Sequence, residues 1–353
     1  MKKVIIVGGG IVGLWCAVRL RQGGAQVTLL EAESEFFSPY GPTASAAAAG
    51  MLAPIEPRAS AHEQLALDSF DMWRDRQPGA EWADGVRFDG CVIIGENAEH
   101  AAQVQANAQR LGRGAVALNA TQFRKRTGLE AKAETGVFVA DEGIADPVRV
   151  LSGLSMQARA LGALLMFDAD VADITGQSAT THDGRSFEAD VVVAAPGVWA
   201  TDALKAAAPA LARVSPGKGQ LVGVETAHPL GATVRGPGFY LARRREDTVL
   251  GATMEMGRTD RRPDPEKGAA LLARAQAVFD GELAVSERTW AGIRPMSPDG
   301  WPMIGPSGQV LIAAGHARNG WLLAPVTAEI ISAYVFGAEI PPEWAALSPA
   351  RFA

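Results

Sequence analysis

The chain has 353 residues, enough for two domains or one large domain with an insertion, and its 39 acidic and 33 basic side chains give a formal charge of −6, which argues against a phosphate-tracking surface for nucleic acid. Charged residues at 20% and apolar residues at 48%, with Gly 39 and Pro 21, describe a globular chain rather than a disordered or fibrous one. Cys16 and Cys91 are too few for a disulfide framework or a zinc site; they fit a reducing cytoplasm, and no metal site is expected.

Lys2-Lys3 and the uncharged run 4–18 imitate a secretory leader, but Gly8, Gly9, Gly10 and Gly13 interrupt the run and Arg19 and Arg21 follow it. No apolar stretch reaches the length of about 18 residues that a membrane span needs. Instead, 3–7 reads as a strand and 11–20 as a helix stopped by Gly23-Gly24. A second strand, 26–30, closes on Glu31. This is a βαβ unit with parallel strands. Residues 86–94 form a half-alternating strand. Asp146-Pro147 starts a helix over 148–161, and strands follow at 163–167, 170–174 and 191–195, with a turn at Asp183-Gly184. Further half-alternating strands at 220–226, 239–243 and 248–254 point to a second, mostly antiparallel sheet. The chain ends in a strand at 310–314, a polar loop at 315–320 and a helix at 321–336. Two kinds of sheet that interleave along the sequence imply that the chain crosses between two domains more than once.

Gly8-Gly9-Gly10-Ile11-Val12-Gly13 satisfies Gly-x-Gly-x-x-Gly between a strand and a helix. Its glycines permit a tight turn and close approach of backbone to a pyrophosphate, whose charge sits on the helix N-terminus. Glu31, at the end of the next strand, suits ribose hydroxyls and argues against a 2′-phosphate, which disfavours NADP and leaves FAD and NAD. The terminal strand–loop–helix unit can aim a second helix N-terminus at an anion. A reduced flavin is such an anion, which favours FAD.

Four stretches resemble the D-amino-acid oxidase family of flavoproteins, and within it the glycine oxidase branch. They are 4–31; 43–54 (Thr-Ala-Ser-Ala-Ala-Ala-Ala-Gly-Met-Leu-Ala-Pro); 290–300 (Trp-Ala-Gly-Ile-Arg-Pro-Met-Ser-Pro-Asp-Gly); and 315–325 (Gly-His-Ala-Arg-Asn-Gly-Trp-Leu-Leu-Ala-Pro). Weaker matches at 143–151 and 191–199 extend the likeness over nearly the whole chain. The resemblance implies an α/β fold: a Rossmann-like, parallel-sheet FAD-binding domain (1–76, 145–213, 295–353) and a substrate domain (77–144, 214–294) with a mostly antiparallel sheet. It implies an extended, non-covalent FAD, since no cysteine stands near Arg294 where some relatives tether their flavin. Gly8, Gly10, Ile11, Val12, Gly13, Glu31 and Val171 would serve its adenine and pyrophosphate end. Ala44, Ser45, Gly50, Met51, Gly197, Arg294, Gly315, His316, Arg318, Asn319, Gly320, Trp321 and Leu322 would serve the rest. Small residues suit a loop pressed against a flat ring. Ala46, where many relatives carry an aromatic residue, is expected to loosen or enlarge the region beside that ring.

At the substrate end the resemblance gives Arg294 the grip on a carboxylate, because a planar guanidinium makes two parallel charge-assisted bonds that fix the α-hydrogen against the flavin. Tyr240 adds a hydroxyl, Arg318 a second positive group, and Met254 lines the pocket; His316 positions backbone rather than acting as a base. His62, His100, His182 and His228 have no clustered spacing and no assigned role. Three activities follow. The first is oxidation of glycine or another small amine or D-amino acid by molecular oxygen, giving an imine or 2-oxo acid, ammonia and hydrogen peroxide; this branch is often tied to thiamine biosynthesis. The second is a dehydrogenase that passes electrons to a quinone or carrier, and the third a non-catalytic nucleotide-binding protein. A cytoplasmic location fits, and a homo-oligomer is left open.

Overall fold

The β-branched run at the start forms strand β1 (Lys3–Val7), and the glycine loop opens helix α1 (Ile11–Gln22). Strand β2 (Gln26–Leu30) returns parallel to β1 with Val27 opposite Val4. The elements that build the site follow in order. They are the short helix α2 (Ala44–Ala47), helix α3 (Pro147–Ala160), and strands β3 (Leu164–Met166), β4 (Val191–Ala194) and β5 (Ser215–Glu225). Next come β6 (Thr233–Gly236), β7 (Phe239–Arg243), β8 (Thr248–Gly251), β9 (Ala284–Met296), β10 (Met303–Ser307), β11 (Val310–Ala314) and helix α4 (Gly320–Phe336). The structure is a computed structural model that describes every residue except 36, 57–59, 76–79, 96–97, 133–135, 227–228, 245–246 and 281–282.

One sheet has six strands in the order β3-β2-β1-β4-β11-β10, all parallel neighbours except β10, which runs antiparallel to β11. Alternation sends Val4 and Ile6 into a core shared with α1, α3 and α4. Ile5 and Val7 go into a core under the three-stranded sheet of Val171–Ile174, Ser178–Thr181 and Ser186–Glu188. Burial on both faces is why β1 reads as an unbroken apolar run, and each such side chain contributes about 1.5–3 kcal/mol. Helix α3 begins as its sequence indicates, with the Asp146 carboxylate accepting the Arg149 N–H at 3.2 Å and Pro147 in the first turn.

The second sheet has nine strands, with every neighbouring pair antiparallel except β6 and Cys91–Ile93. The expected strand over 86–94 is two strands: Val86–Arg87 pairs with Gly143–Ala145, and Cys91–Ile93 pairs with Gly136–Val139. Gly90, at φ +75, turns the chain between them. The strand expected over 248–254 ends at Gly251; beyond it Thr253 still meets Gln220, its hydroxyl taking the Gln220 N–H at 2.9 Å and its own N–H donating to the Gln220 carbonyl at 3.3 Å. In the other direction, β5 starts five residues before 220, at Ser215. Pro216, Gly217 and Gly219 conceal that extension.

The expected division at 76/77 lies outside the described residues, and β9 runs unbroken through the one at 294/295. Among the described residues no helix is long and apolar enough to cross a membrane.

Candidate active site

A cavity of about 960 Å³ runs from the C-terminal ends of β1 and β4, past α2 and the start of α4, to the face of the second sheet. At its first end Gly8 has φ +108, and a Cβ there would lie 2.3 Å from the Ala195 carbonyl oxygen. A Cβ on Gly13 would lie 1.9 Å from the Gly8 carbonyl oxygen. No side chain of the N-cap residue Gly10 covers the start of α1; the Ile11 N–H donates to Ser45 Oγ at 3.0 Å. Glu31 accepts from the Gly9 and Glu33 amides, and burial raises its pKa while those donors oppose the rise. A turn with no room for a side chain, a helix start that faces the cavity and a half-buried carboxylate fit the diphosphate and ribose of FAD.

The middle of the wall is α2, fixed from two directions. The Trp321 indole donates to the Ser45 carbonyl at 3.1 Å, and the Trp290 indole donates to the Ala47 carbonyl at 2.8 Å. A Cβ on Gly292 would lie 2.7 Å from the Ala47 Cβ, so β9 meets α2 nearly backbone to backbone. Trp290→Phe keeps the ring packing and removes a donor from a buried carbonyl. It is expected to cost about 1–3 kcal/mol in urea unfolding; a loss under half of the lower figure would show that the bond does not hold this wall.

At the far end, Arg294 from β9, Tyr240 from β7, Met254 and Arg318 converge on the cavity. Arg294 Nη1 donates to the Thr253 carbonyl at 3.3 Å and lies 3.9 Å from the Met254 sulfur. Among the described residues no carboxylate pairs with Arg294 or Arg318. Burial lowers the Arg294 pKa and the Arg318 charge lowers it further, against the pull of Tyr240. Burial also raises the Tyr240 pKa, so its hydroxyl is a neutral donor. Two uncompensated guanidiniums and a phenolic O–H form an anion site suited to a carboxylate. Met254 is 43% exposed, a cavity residue rather than core packing.

His316 is buried, and its Nε2 faces the Thr327 hydroxyl at 3.0 Å. That hydroxyl donates onward to the Leu323 carbonyl at 2.7 Å, which leaves its lone pair for an Nε2–H. Burial lowers this imidazole from 6.5 to about 3, so it is neutral at working pH and serves as a structural donor. Between those values the unfolded chain binds a proton that the folded chain does not, so the stabilisation is full above 6.5 and is lost as pH falls. Between about pH 7 and pH 5 the unsubstituted protein should therefore lose roughly 2 kcal/mol more unfolding free energy than His316→Asn. Parallel pH profiles would show the ring to be free to protonate.

The other expected positions that line the cavity are Gly10, Ile11, Val12, Ala44, Gly50, Met51, Val171, Gly197, Asn319, Gly320 and Trp321. Gly315 and Leu322 do not. Gly315, at φ +73, is the turn after β11 and packs against Ser297, while Leu322 points into the helix core and its carbonyl accepts the Ser69 hydroxyl at 2.6 Å. Ala46 is also turned into that core, so its small size does not enlarge the cavity. Sequence reasoning passed over Trp199, Gly219 and Arg235, which line the wall. Arg235 is held by the buried Glu142 and donates to the Ile55 carbonyl at 2.8 Å. Burial raises Glu142 to about 7. Position in a strand gives no sequence signal for such a pair.

A family model described as DAO, FAD dependent oxidoreductase, matches residues 3–334. The chain is 32% identical over 372 aligned positions to the bifunctional protein ThiO/ThiG of Synechocystis sp., an alignment that takes in 99% of this chain and 54% of that protein. The chain thus spans about half the length of that relative. It is 29% identical to a glycine oxidase of Bacillus licheniformis, over 96% of this chain and 94% of the relative. The crystal structure of glycine oxidase from Geobacillus kaustophilus superimposes with a TM-score of 0.83 at 26% identity, over 99% of both chains.

Proposed function

This chain belongs to the DAO family of FAD dependent oxidoreductases, and from that premise we propose that it oxidises glycine or a similarly small amino acid, giving imine or 2-oxo acid, ammonia and hydrogen peroxide. The observation that carries the reading is Arg294: a half-buried cation with no acidic partner among the described residues, facing the same cavity as the glycine turn. Glycine oxidase relatives that match along nearly their whole length support the substrate class.

When bound, FAD supplies the oxidant that accepts a hydride from the amine-bearing carbon. The protein's part is to orient. Arg294 offers its planar fork to the two carboxylate oxygens, Tyr240 donates its hydroxyl to one of them, and Arg318 adds positive charge from the exposed rim. His316 stays neutral and holds the loop that carries Arg318. Non-covalent attachment is supported by the cavity wall, where no cysteine appears among the described residues; Cys16 and Cys91 lie in hydrophobic cores. The division of labour is mainly by segment, with 1–76, 145–213 and 295–353 holding the cofactor and 77–144 and 214–294 the substrate, while Arg318 reaches the substrate from the first set and β9 runs through the 294/295 boundary.

The test is anaerobic reduction of the bound flavin by glycine, sarcosine and small D-amino acids, followed by peroxide yield in air. Bleaching with near-stoichiometric peroxide supports the reading. No bleaching by any of them would end it, and bleaching with little peroxide would assign the electrons to another acceptor.

A further inference from the structure

Gly217 and Gly219 of β5 and Gly251 of β8 leave the sheet bare beneath the substrate-end side chains, with Leu221 the next residue along the same face of β5. Arg294 lies opposite Gly217 in the antiparallel register of β9 on β5, and Gly292 lies opposite Gly219. The Arg294 side chain runs diagonally from its own position and rests on Gly219: a Cβ there would lie 2.0 Å from Nη1 and 2.4 Å from Cζ. Tyr240 lies opposite Gly251 of β8, where a Cβ would fall 2.1 Å from the ring Cζ and 2.2 Å from the hydroxyl oxygen. At Gly217 a Cβ would meet Met296 at 2.8 Å and the Met254 sulfur at 3.4 Å. None of these three glycines has a positive φ, so a left-handed backbone is not what requires them. In a strand interior glycine weakens the sheet and marks close approach, and here the approaching groups are the anion-binding side chains.

We propose that Gly219 and Gly251 are positioning residues, a side-chain-free trough that sets the height of the Arg294 guanidinium and the Tyr240 phenol above the sheet and thereby the depth at which a substrate carboxylate is held. This rests on the assignment of Arg294 to that carboxylate. A methyl group at 219 has ordinary strand geometry, and the atoms it meets are the far end of a flexible side chain. The fold therefore survives the substitution by moving the guanidinium, and the effect falls on the anion site.

The experiment compares four holoproteins: unsubstituted, Gly219→Ala, Arg294→Ala and the double variant. Two quantities are read, the dissociation constant of acetate, a carboxylate with no amine to oxidise, from its effect on the flavin spectrum, and KM for glycine. Gly219→Ala is expected to raise both by tenfold or more with FAD content unchanged. In the Arg294→Ala background the same substitution should change neither, because the group it displaces is gone. Equal losses in both backgrounds would overturn the proposal by showing that Gly219 serves the sheet or the cofactor. A harmless Gly219→Ala beside a weakened Arg294→Ala would also overturn it, since the guanidinium then tolerates the methyl group. An Arg294→Ala variant that binds acetate normally would fail the carboxylate assignment itself. If Gly219→Ala does not accumulate but the double variant does, the collision is with the guanidinium, as proposed. If neither accumulates, the trough is not its role.

Discussion

Arg294→Ala is expected to fold, to bind FAD, and to lower the apparent second-order rate constant for anaerobic flavin reduction by a small amino acid by about two orders of magnitude or more. That fall corresponds to roughly 3 kcal/mol of charge-assisted bonding to a buried carboxylate. Folding should survive because Arg294 closes no ion pair with a described residue and its one backbone acceptor is the Thr253 carbonyl at 3.3 Å. Removing it also lifts a desolvated like charge from the vicinity of Arg318. Arg294→Lys should recover only part of the rate, since an ammonium cannot reproduce a planar, two-pronged grip. The informative control is an amine without a carboxylate, whose rate, if measurable, should be nearly indifferent to the change. Equal losses for both substrates with FAD still bound would mean that Arg294 acts on the cofactor or the fold.

Gly13→Val should have the other large effect, a colourless or insoluble protein. A Cβ at position 13 would stand 1.9 Å from the Gly8 carbonyl oxygen, an atom of backbone rather than a yielding side chain. Valine adds two further carbons at the point where α1 leaves the turn. The helix must then move away from β1, and the amides of its first turn no longer converge on one place. The ratio of flavin absorbance to protein absorbance after purification measures this directly. A yellow, fully active variant would remove the basis for placing the cofactor diphosphate at this turn.

Legibility from sequence followed the range of the interactions. The glycine turn, Glu31, the Asp146-Pro147 helix start and the closing strand–loop–helix unit were readable because each is encoded within a few neighbouring residues. Errors appeared where phase or pairing decides. Leu322 sits beside Trp321, yet one step along a helix turns it from cavity to core. Ala46 departs from Ala44 and Ala47 in the same way. Gly90 splits an apparently continuous strand because its two halves find different partners. Gly219 carried no signal, since its role depends on a register with residues more than seventy positions away.

Strand β9 has a consequence for how such a site can change over time. On one face, at every second residue, it carries the indole that holds α2, the glycine that admits Ala47, the Arg294 guanidinium, and Met296, whose backbone forms a bridge with His316. A slip of one residue would turn all four to the opposite face together. An insertion or deletion between Trp290 and Met296 is therefore expected to disturb both halves of the site, whereas the stretch before Thr289 already absorbs a register shift. The turn at Pro237-Gly238 before Tyr240 lines the same cavity from outside β9, so a substitution there leaves the register of β9 untouched.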